Sequence, residues 1–360
     1  MNESIIKKMR TVVALLLSVC LIFFCVSCTS KNEPGYTQPS TVPQSKTVTQ
    51  PQTVAQPPIV IGIAWRDDVT AGSYTSVVKT IEAAGGKSVL LPQVKSADLI
   101  YDENGRLTNG VTKNGVLTNA AGKLIRCNRY QKSNAADALA KVSAVVFSGG
   151  EDISPSLYYT PQPWREINAE CNYNAERDVS DFLLMEYCLD HDIPILCICR
   201  GMQMLSVVSG AEMIQDIPAY FAEKGKEYNY QHRNQKAAPG SSRDYAPHDV
   251  SIVKDSLLYE IAGAETLSGC PSWHHQAVLN VKNTRLKVTG THNTNGIKII
   301  EAVERTDKTF ALGLQFHPEA AVAKHLQNAE NANSYMNYDI AISFFKYLIK
   351  KAASDTRTAA

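Results

Sequence analysis

Three short stretches of this chain are apolar almost throughout: Ile59–Trp65 (IVIGIAW), Ser143–Phe147 (SAVVF) and Pro194–Ile198 (PILCI). A strand with one wet face alternates polar and apolar residues. A run without alternation has to be covered on both faces. Helical patterns separate these runs. Ser73–Gly86 places Val77, Val78, Ile81 and Ala84 at helical spacing and stops at Gly85-Gly86. Asn134–Val142 reads as a short helix, and Arg177–Asp192 as a longer amphipathic one. Buried strands alternating with helices predict an α/β fold with a mostly parallel central sheet and helices on both faces. Farther on, Leu286–Thr291, Ile297–Glu304 and Phe310–Phe316 follow each other too closely for helical crossovers, so antiparallel additions are expected. Tyr338–Ala352 closes the domain as a helix.

Between Leu99 and Asn134 the rhythm breaks. Asn-Gly turns at Asn104, Asn109 and Asn114 separate short apolar pairs, and a β-hairpin insertion is expected there. It is either decoration or a lid.

The ends of the chain differ from the middle. Lys7, Lys8 and Arg10 precede an uncharged stretch, Thr11–Ser27, that ends at Ser27-Cys28. This resembles a bacterial lipoprotein signal over residues 1–28, with Cys28 as the lipid site; a plain signal anchor is the alternative. Residues 29–58 are rich in Pro, Gln, Thr and Ser and bury no face, which predicts a disordered tether. The expected domain is 59–352, with 353–360 as a tail. The net charge of +1 gives no basis for a polyanionic partner, so no nucleic acid is expected. Of nine cysteines, six remain past Cys28. Without paired Cys-x-x-Cys units, no structural zinc is expected, and no other metal or cofactor.

The chemistry concentrates where PILCI hands over to a helix. Cys199 occupies the corner, followed by Arg200 and Gly201, with Met202, Leu205 and Val208 on one helical stripe. Such a corner lies at the carboxyl end of a parallel sheet, where ligands bind. The helix N-terminus favours a thiolate. Cys199 is therefore either a nucleophile or a small hydrophobe filling the corner. A Cys197–Cys199 redox pair is a third option, which the strain of so small a ring disfavours. A cysteine nucleophile needs a base. His317 follows a strand and precedes Pro318 and Glu319, so Glu319 can turn back to orient the imidazole. The Arg200 N–H faces any oxyanion formed at Cys199. Gly149-Gly150, at the end of the SAVVF strand, offers a second donor from Gly150.

Taken together, these segments resemble the class I glutamine amidotransferase-like superfamily, in its gamma-glutamyl hydrolase branch, over about Ile59 to Ala352. The resemblance is carried by SGGEDISPSLY, ERD, ICRGMQML, MIQDIP, PSWHHQAV and LGLQFHPE. It implies a flavodoxin-like amidotransferase fold and cysteine-dependent hydrolysis of gamma-glutamyl amide or isopeptide bonds. Cys199 becomes the nucleophile, His317 the base and Glu319 its orienting partner, with Gly150 and Arg200 as the oxyanion hole. Gln203, His274, His275 and Gln276 become substrate-side candidates. The chain departs from the family pattern at Cys197, where glycine is common, and at Cys270-Pro271. Its leader is unusual too, because relatives in polyamine catabolism are typically cytoplasmic. A cell-wall gamma-glutamyl peptide is thus an alternative substrate, and a catalytically inactive surface binding protein an alternative function. The expected partners are a small gamma-glutamyl substrate and the extracytoplasmic face of a membrane through the lipid; a homodimer is one candidate assembly.

Overall fold

The computed structural model describes residues 58–160, 162, 171–238 and 240–354. The signal at 1–28, the tether up to residue 57 and the tail from 355 lie outside the described residues. In chain order the elements are β1 (Val60–Ile63), α1 (Gly72–Ala83), β2 (Lys87–Leu90), α2 (Asn119–Asn128), α3 (Ala135–Ala138), β3 (Ala144–Phe147), α4 (Ala175–Asp190), β4 (Ile195–Ile198) and α5 (Arg200–Val208). Then come β5 (Glu212–Ile214), α6 (Ile217–Glu223), β6 (Ala246–Ile252), α7 (Leu257–Ala262), β7 (Thr266–Ser272) and β8 (Ala277–Asn280). The series ends with β9 (Leu286–Thr294), β10 (Ile297–Arg305), β11 (Ala311–Leu314), α8 (Pro318–Leu326) and α9 (Tyr338–Ala353).

The strands form one sheet in the order β2-β1-β3-β4-β11-β10-β9-β6-β7, with β8 joining β10 to β5. The first five strands in that order are parallel. Beyond β11 the pairing turns antiparallel. Both parts follow the expected α/β pattern. The unbroken apolar runs have the two-sided burial they require: β3, β4 and β11 are buried at every position. Val145, Phe147, Ile195 and Cys197 face the layer of α4 and α5. Ala144, Val146, Leu196 and Ile198 face the layer of α1, α8 and α9. Each such large side chain withdrawn from water contributes about 1.5–3 kcal/mol before entropy is set against it.

Register decides where the chemistry emerges. Phe147 lies opposite Cys197 across β3 and β4, and Leu314 opposite Ile198 across β11 and β4. The residues that follow these strands therefore leave the sheet at one edge: the Gly149-Gly150 turn, Cys199 and His317.

The 99–134 insertion is only partly a hairpin. Tyr101 bridges Leu107 and Val111 bridges Leu117, each as an isolated antiparallel contact around an Asn-Gly turn. From Asn119 the chain is the helix α2, capped by the Thr118 side chain. Ala121 and Ile125, four residues apart, bury one stripe of it. Gly122 lets α2 lie against the Ser156 carbonyl, where a Cβ would collide. No helix among the described residues is long and apolar enough to cross a membrane.

Candidate active site

Cys199 is the N-cap of α5 and has φ 51° and ψ −105°. A positive φ at a residue with a Cβ costs about 1–3 kcal/mol, so the surroundings must impose it. Its N–H donates to the Leu314 carbonyl of β11 at 2.7 Å, and its carbonyl accepts from the Gln203 N–H at 3.1 Å. The corner is thus pinned to the sheet on one side and to the helix on the other. Gly201 permits the turn, because a Cβ there would overlap the Phe147 carbonyl oxygen. The Cys199 Sγ lies 3.9 Å from the Trp273 carbonyl oxygen.

His317 caps α8 with its own backbone, while its N–H donates to the Pro271 carbonyl at 2.8 Å. Its Nδ1 is 2.7 Å from Glu319 Oε1, which makes Nδ1 the donor and leaves Nε2 for the site. Nε2 is buried and has no hydrogen bond among the described residues. Burial opposes a charge on this ring, yet the Glu319 carboxylate and the Cys199 sulfur raise His317 to about 10. Gly149 forms the floor between the two side chains. A Cβ on it would sit 2.7 Å from His317 Cε1 and 3.6 Å from Cys199 Cβ.

Neither the Gly150 N–H nor the Arg200 N–H donates to a described residue. Both backbone donors remain open for a ligand oxygen. The Arg200 side chain turns the other way. It is 1% exposed, 2.6 Å from Asp178 and in contact with Asp181. Beside it, buried Arg177 donates to the Ser148 and Gly149 carbonyls at 3.0 Å each and pairs with Glu151 at 2.6 Å. These bonds hold the glycine turn by its carbonyls and so set the direction of the Gly150 N–H.

Two cavities meet at Cys199. One, of about 430 Å³, is lined by Gln203, Gln276 and His275 together with Arg66, Glu151 and Arg233. The other, of about 340 Å³, is lined by Gly72, Ser73, Tyr245 and His317. Gly150, Cys199 and Trp273 border both. Of the substrate-side candidates, Gln203 donates to the Gln276 carbonyl at 3.1 Å and to Gln315 Oε1 at 3.3 Å. The Gln276 Oε1 accepts from the Ile153 N–H at 3.3 Å. His275 is held between Asp216 at 3.0 Å and Asp152 at 2.9 Å. Burial opposes its charge, but these two carboxylates raise it to about 9. His274 contributes to the same wall, but its ring nitrogens are directed at the Gln276 carbonyl and toward Glu301. The structure therefore gathers Cys199, His317, Glu319, Gly150, the Arg200 N–H, Gln203, His275 and Gln276, and turns the His274 ring away.

Sequence patterns did not single out Arg66, Glu151, Arg177, Arg233 or Tyr245. Arg177 stood in the ERD stretch, but only as the start of a helix. No residue of 99–134 lines either cavity. Cys197 is fully buried, and burial pushes its thiol well up. The cysteines at 127, 197, 199 and 270 form no disulfide with a described residue.

The sequence profile of the Peptidase C26 family matches residues 113–319. Protein NtpR of Enterococcus hirae is 31% identical over 206 residues, covering 57% of this chain and 76% of its own length. A gamma-glutamyl-gamma-aminobutyrate hydrolase of Escherichia coli O157:H7 is 30% identical over 183 residues, covering 50% of this chain and 65% of its own length. The family match runs from the insertion through the glycine turn and the cysteine corner to Glu319, more than half of the sequence, and the chain is accordingly a glutamine amidotransferase-like hydrolase of the Peptidase C26 family.

Proposed function

We propose that this protein hydrolyses gamma-glutamyl amide or isopeptide bonds through a thioester on Cys199. One observation carries this choice of substrate class. The larger cavity at Cys199 is lined by carboxylates and guanidinium groups together, with Glu151 and Asp152 near Arg66 and Arg233. A glutamyl head group carries an ammonium and a carboxylate on one carbon, and a lining of both signs complements it.

In the proposed reaction the Cys199 thiol gives its proton to His317 Nε2, and the sulfur attacks the gamma-carbonyl carbon. The carbonyl electron pair moves to oxygen, which the Gly150 and Arg200 N–H groups receive; one such donor typically contributes about 10²–10³ in rate. The C–N bond then breaks, and the His317 Nε2 proton passes to the leaving nitrogen. Water next gives a proton to His317 and its oxygen to the thioester carbon. The C–S bond breaks, and glutamate leaves with the sulfur restored. Tyr245 and Trp273 border the room on the amine side. We also propose that the chain is exported and held at a membrane by a lipid on Cys28.

The test is mass spectrometry of the full-length protein treated with an electrophilic glutamine analogue, alongside turnover of a panel of gamma-glutamyl compounds. Label on Cys199 is expected. Cys199→Ala is expected to keep the fold by circular dichroism and lose at least about 10³-fold in kcat. Full turnover by this variant, or label on another cysteine alone, overturns the proposal.

A further inference from the structure

Behind the cavity wall that His274 helps to form, four histidines crowd around one buried carboxylate in the antiparallel half of the sheet. Glu301 lies in β10, and the pairing of β10 with β9 passes from Ile300 to Ala302 without it. It is a bulge residue, and bulges re-aim side chains. Glu301 has no exposed surface, and neither carboxylate oxygen makes a hydrogen bond with a described residue. A buried carboxylate in that condition costs several kcal/mol unless a positive group meets it.

Three imidazoles present nitrogen to it. His232 Nδ1 is 3.0 Å from Oε1, His274 Nε2 is 3.7 Å from Oε1, and His248 Nε2 is 3.3 Å from Oε2. None of these contacts is aligned as a hydrogen bond. The far nitrogens of two rings are already committed: His274 Nδ1 is 2.8 Å from the Gln276 carbonyl and His248 Nδ1 is 3.1 Å from the Gln231 carbonyl. In a neutral ring the nitrogen that donates to a carbonyl carries the proton, so the other presents a bare lone pair. Lone pairs of nitrogen therefore face lone pairs of oxygen. A carbonyl behind the ring is also the usual arrangement that orients a ligating histidine. His292 differs, since Asp249 and Gln231 occupy both of its nitrogens.

We propose that His232, His274 and Glu301 bind one divalent ion of the zinc class. The three donor atoms lie within 4.8 Å of one another. Ligands about 2.0–2.2 Å from a tetrahedral ion stand roughly 3.3–3.6 Å apart, and the two imidazole nitrogens lie 3.0 and 3.7 Å from Glu301 Oε1. Two imidazoles and a carboxylate suit zinc or cobalt better than calcium or magnesium. A second cluster, Asp152, Cys171 and His275, offers no free imidazole lone pair, because both His275 nitrogens are bonded to carboxylates. The ion would tie the His232 loop to the Trp273–Gln276 wall of the cavity, where the His274 N–H already donates to the His232 carbonyl at 2.9 Å.

Titration of the full-length protein with Co2+ alone tests this. One equivalent is expected to give the strong visible bands of a four-coordinate ion. Zn2+ is expected to displace it and raise Tm by several degrees, a shift that a chelator reverses. Cys171→Ser and Cys199→Ala, which remove thiol ligands elsewhere, should keep the bands. Glu301→Gln and His232→Gln should weaken binding at least 100-fold, with folding checked by circular dichroism. A wild-type protein with neither four-coordinate bands nor a Tm shift overturns the proposal. So do bands that survive Glu301→Gln, or bands lost with either thiol.

Discussion

A single methyl group placed at position 149 would reach the imidazole of His317. The ideal Cβ lies 2.7 Å from His317 Cε1 and 3.6 Å from Cys199 Cβ, so the ring has to move and the sulfur does not. Gly149→Ala is expected to lower kcat about 10²-fold, the usual effect of displacing a reacting group by about an ångström. Its Tm should change little, and steady-state kinetics beside a melting curve checks both. Sequence and structure meet most closely at this scale. Cys199, His317 and Glu319 were legible because each stands in a short motif with its own mechanics, a strand-to-helix corner and a His-Pro-Glu turn. Gly149 was legible as part of a turn. The atoms it must avoid belong to Cys199 and His317, far along the chain, and no local pattern announces them. Arg177 escaped for the same reason, since its work is done on carbonyls at Ser148 and Gly149.

Among the elements, α4 departs most from its periodicity. Its spacing predicts one wet face. Instead Arg177, Asp178, Asp181 and Glu186 are buried along with its apolar residues. Arg177, Asp178 and Asp181 meet Arg200 and the glycine turn, and Glu186 meets Arg129, instead of water, a distinction that amphipathicity does not carry. Arg177→Ala would leave Glu151 and Asp181 short of their partner, at a cost of about 3–5 kcal/mol measurable by urea unfolding. The pH dependence has a definite sign. Burial would raise Glu151, but Arg177 and then Arg200 bring it from 4.5 down to about 2. A folded-state value below the unfolded one contributes stability that is complete above about 4.5 and is lost as the pH falls toward 2. The variant should lose most of that acid-side slope. The insertion shows the same limit of local patterns. Its Asn-Gly signals gave the turns, while the stripe of Ala121 and Ile125 in α2 was hidden in a stretch that reads as hairpin.

For the molecule as a whole, the alternation of buried strands and helices was enough to give the α/β class, because unbroken apolar runs admit few arrangements. The ligands of the proposed metal site were not legible, since they come from two loops and a bulge that only the sheet topology brings together. Anchoring belongs to this scale as well. The full chain is expected in the membrane fraction of a bacterial expression host, heavier by a lipid, whereas Cys28→Ser should release it to the soluble fraction; fractionation and intact-mass measurement decide. The meeting of two cavities at one sulfur has a further consequence. If the amine departs past Tyr245 while the glutamyl group stays among the charged residues, the vacated space decides the product. Water refilling it completes a cut. A second amine refilling it would make a new bond, so the balance between cleavage and exchange is set by who arrives next and not by the nucleophile.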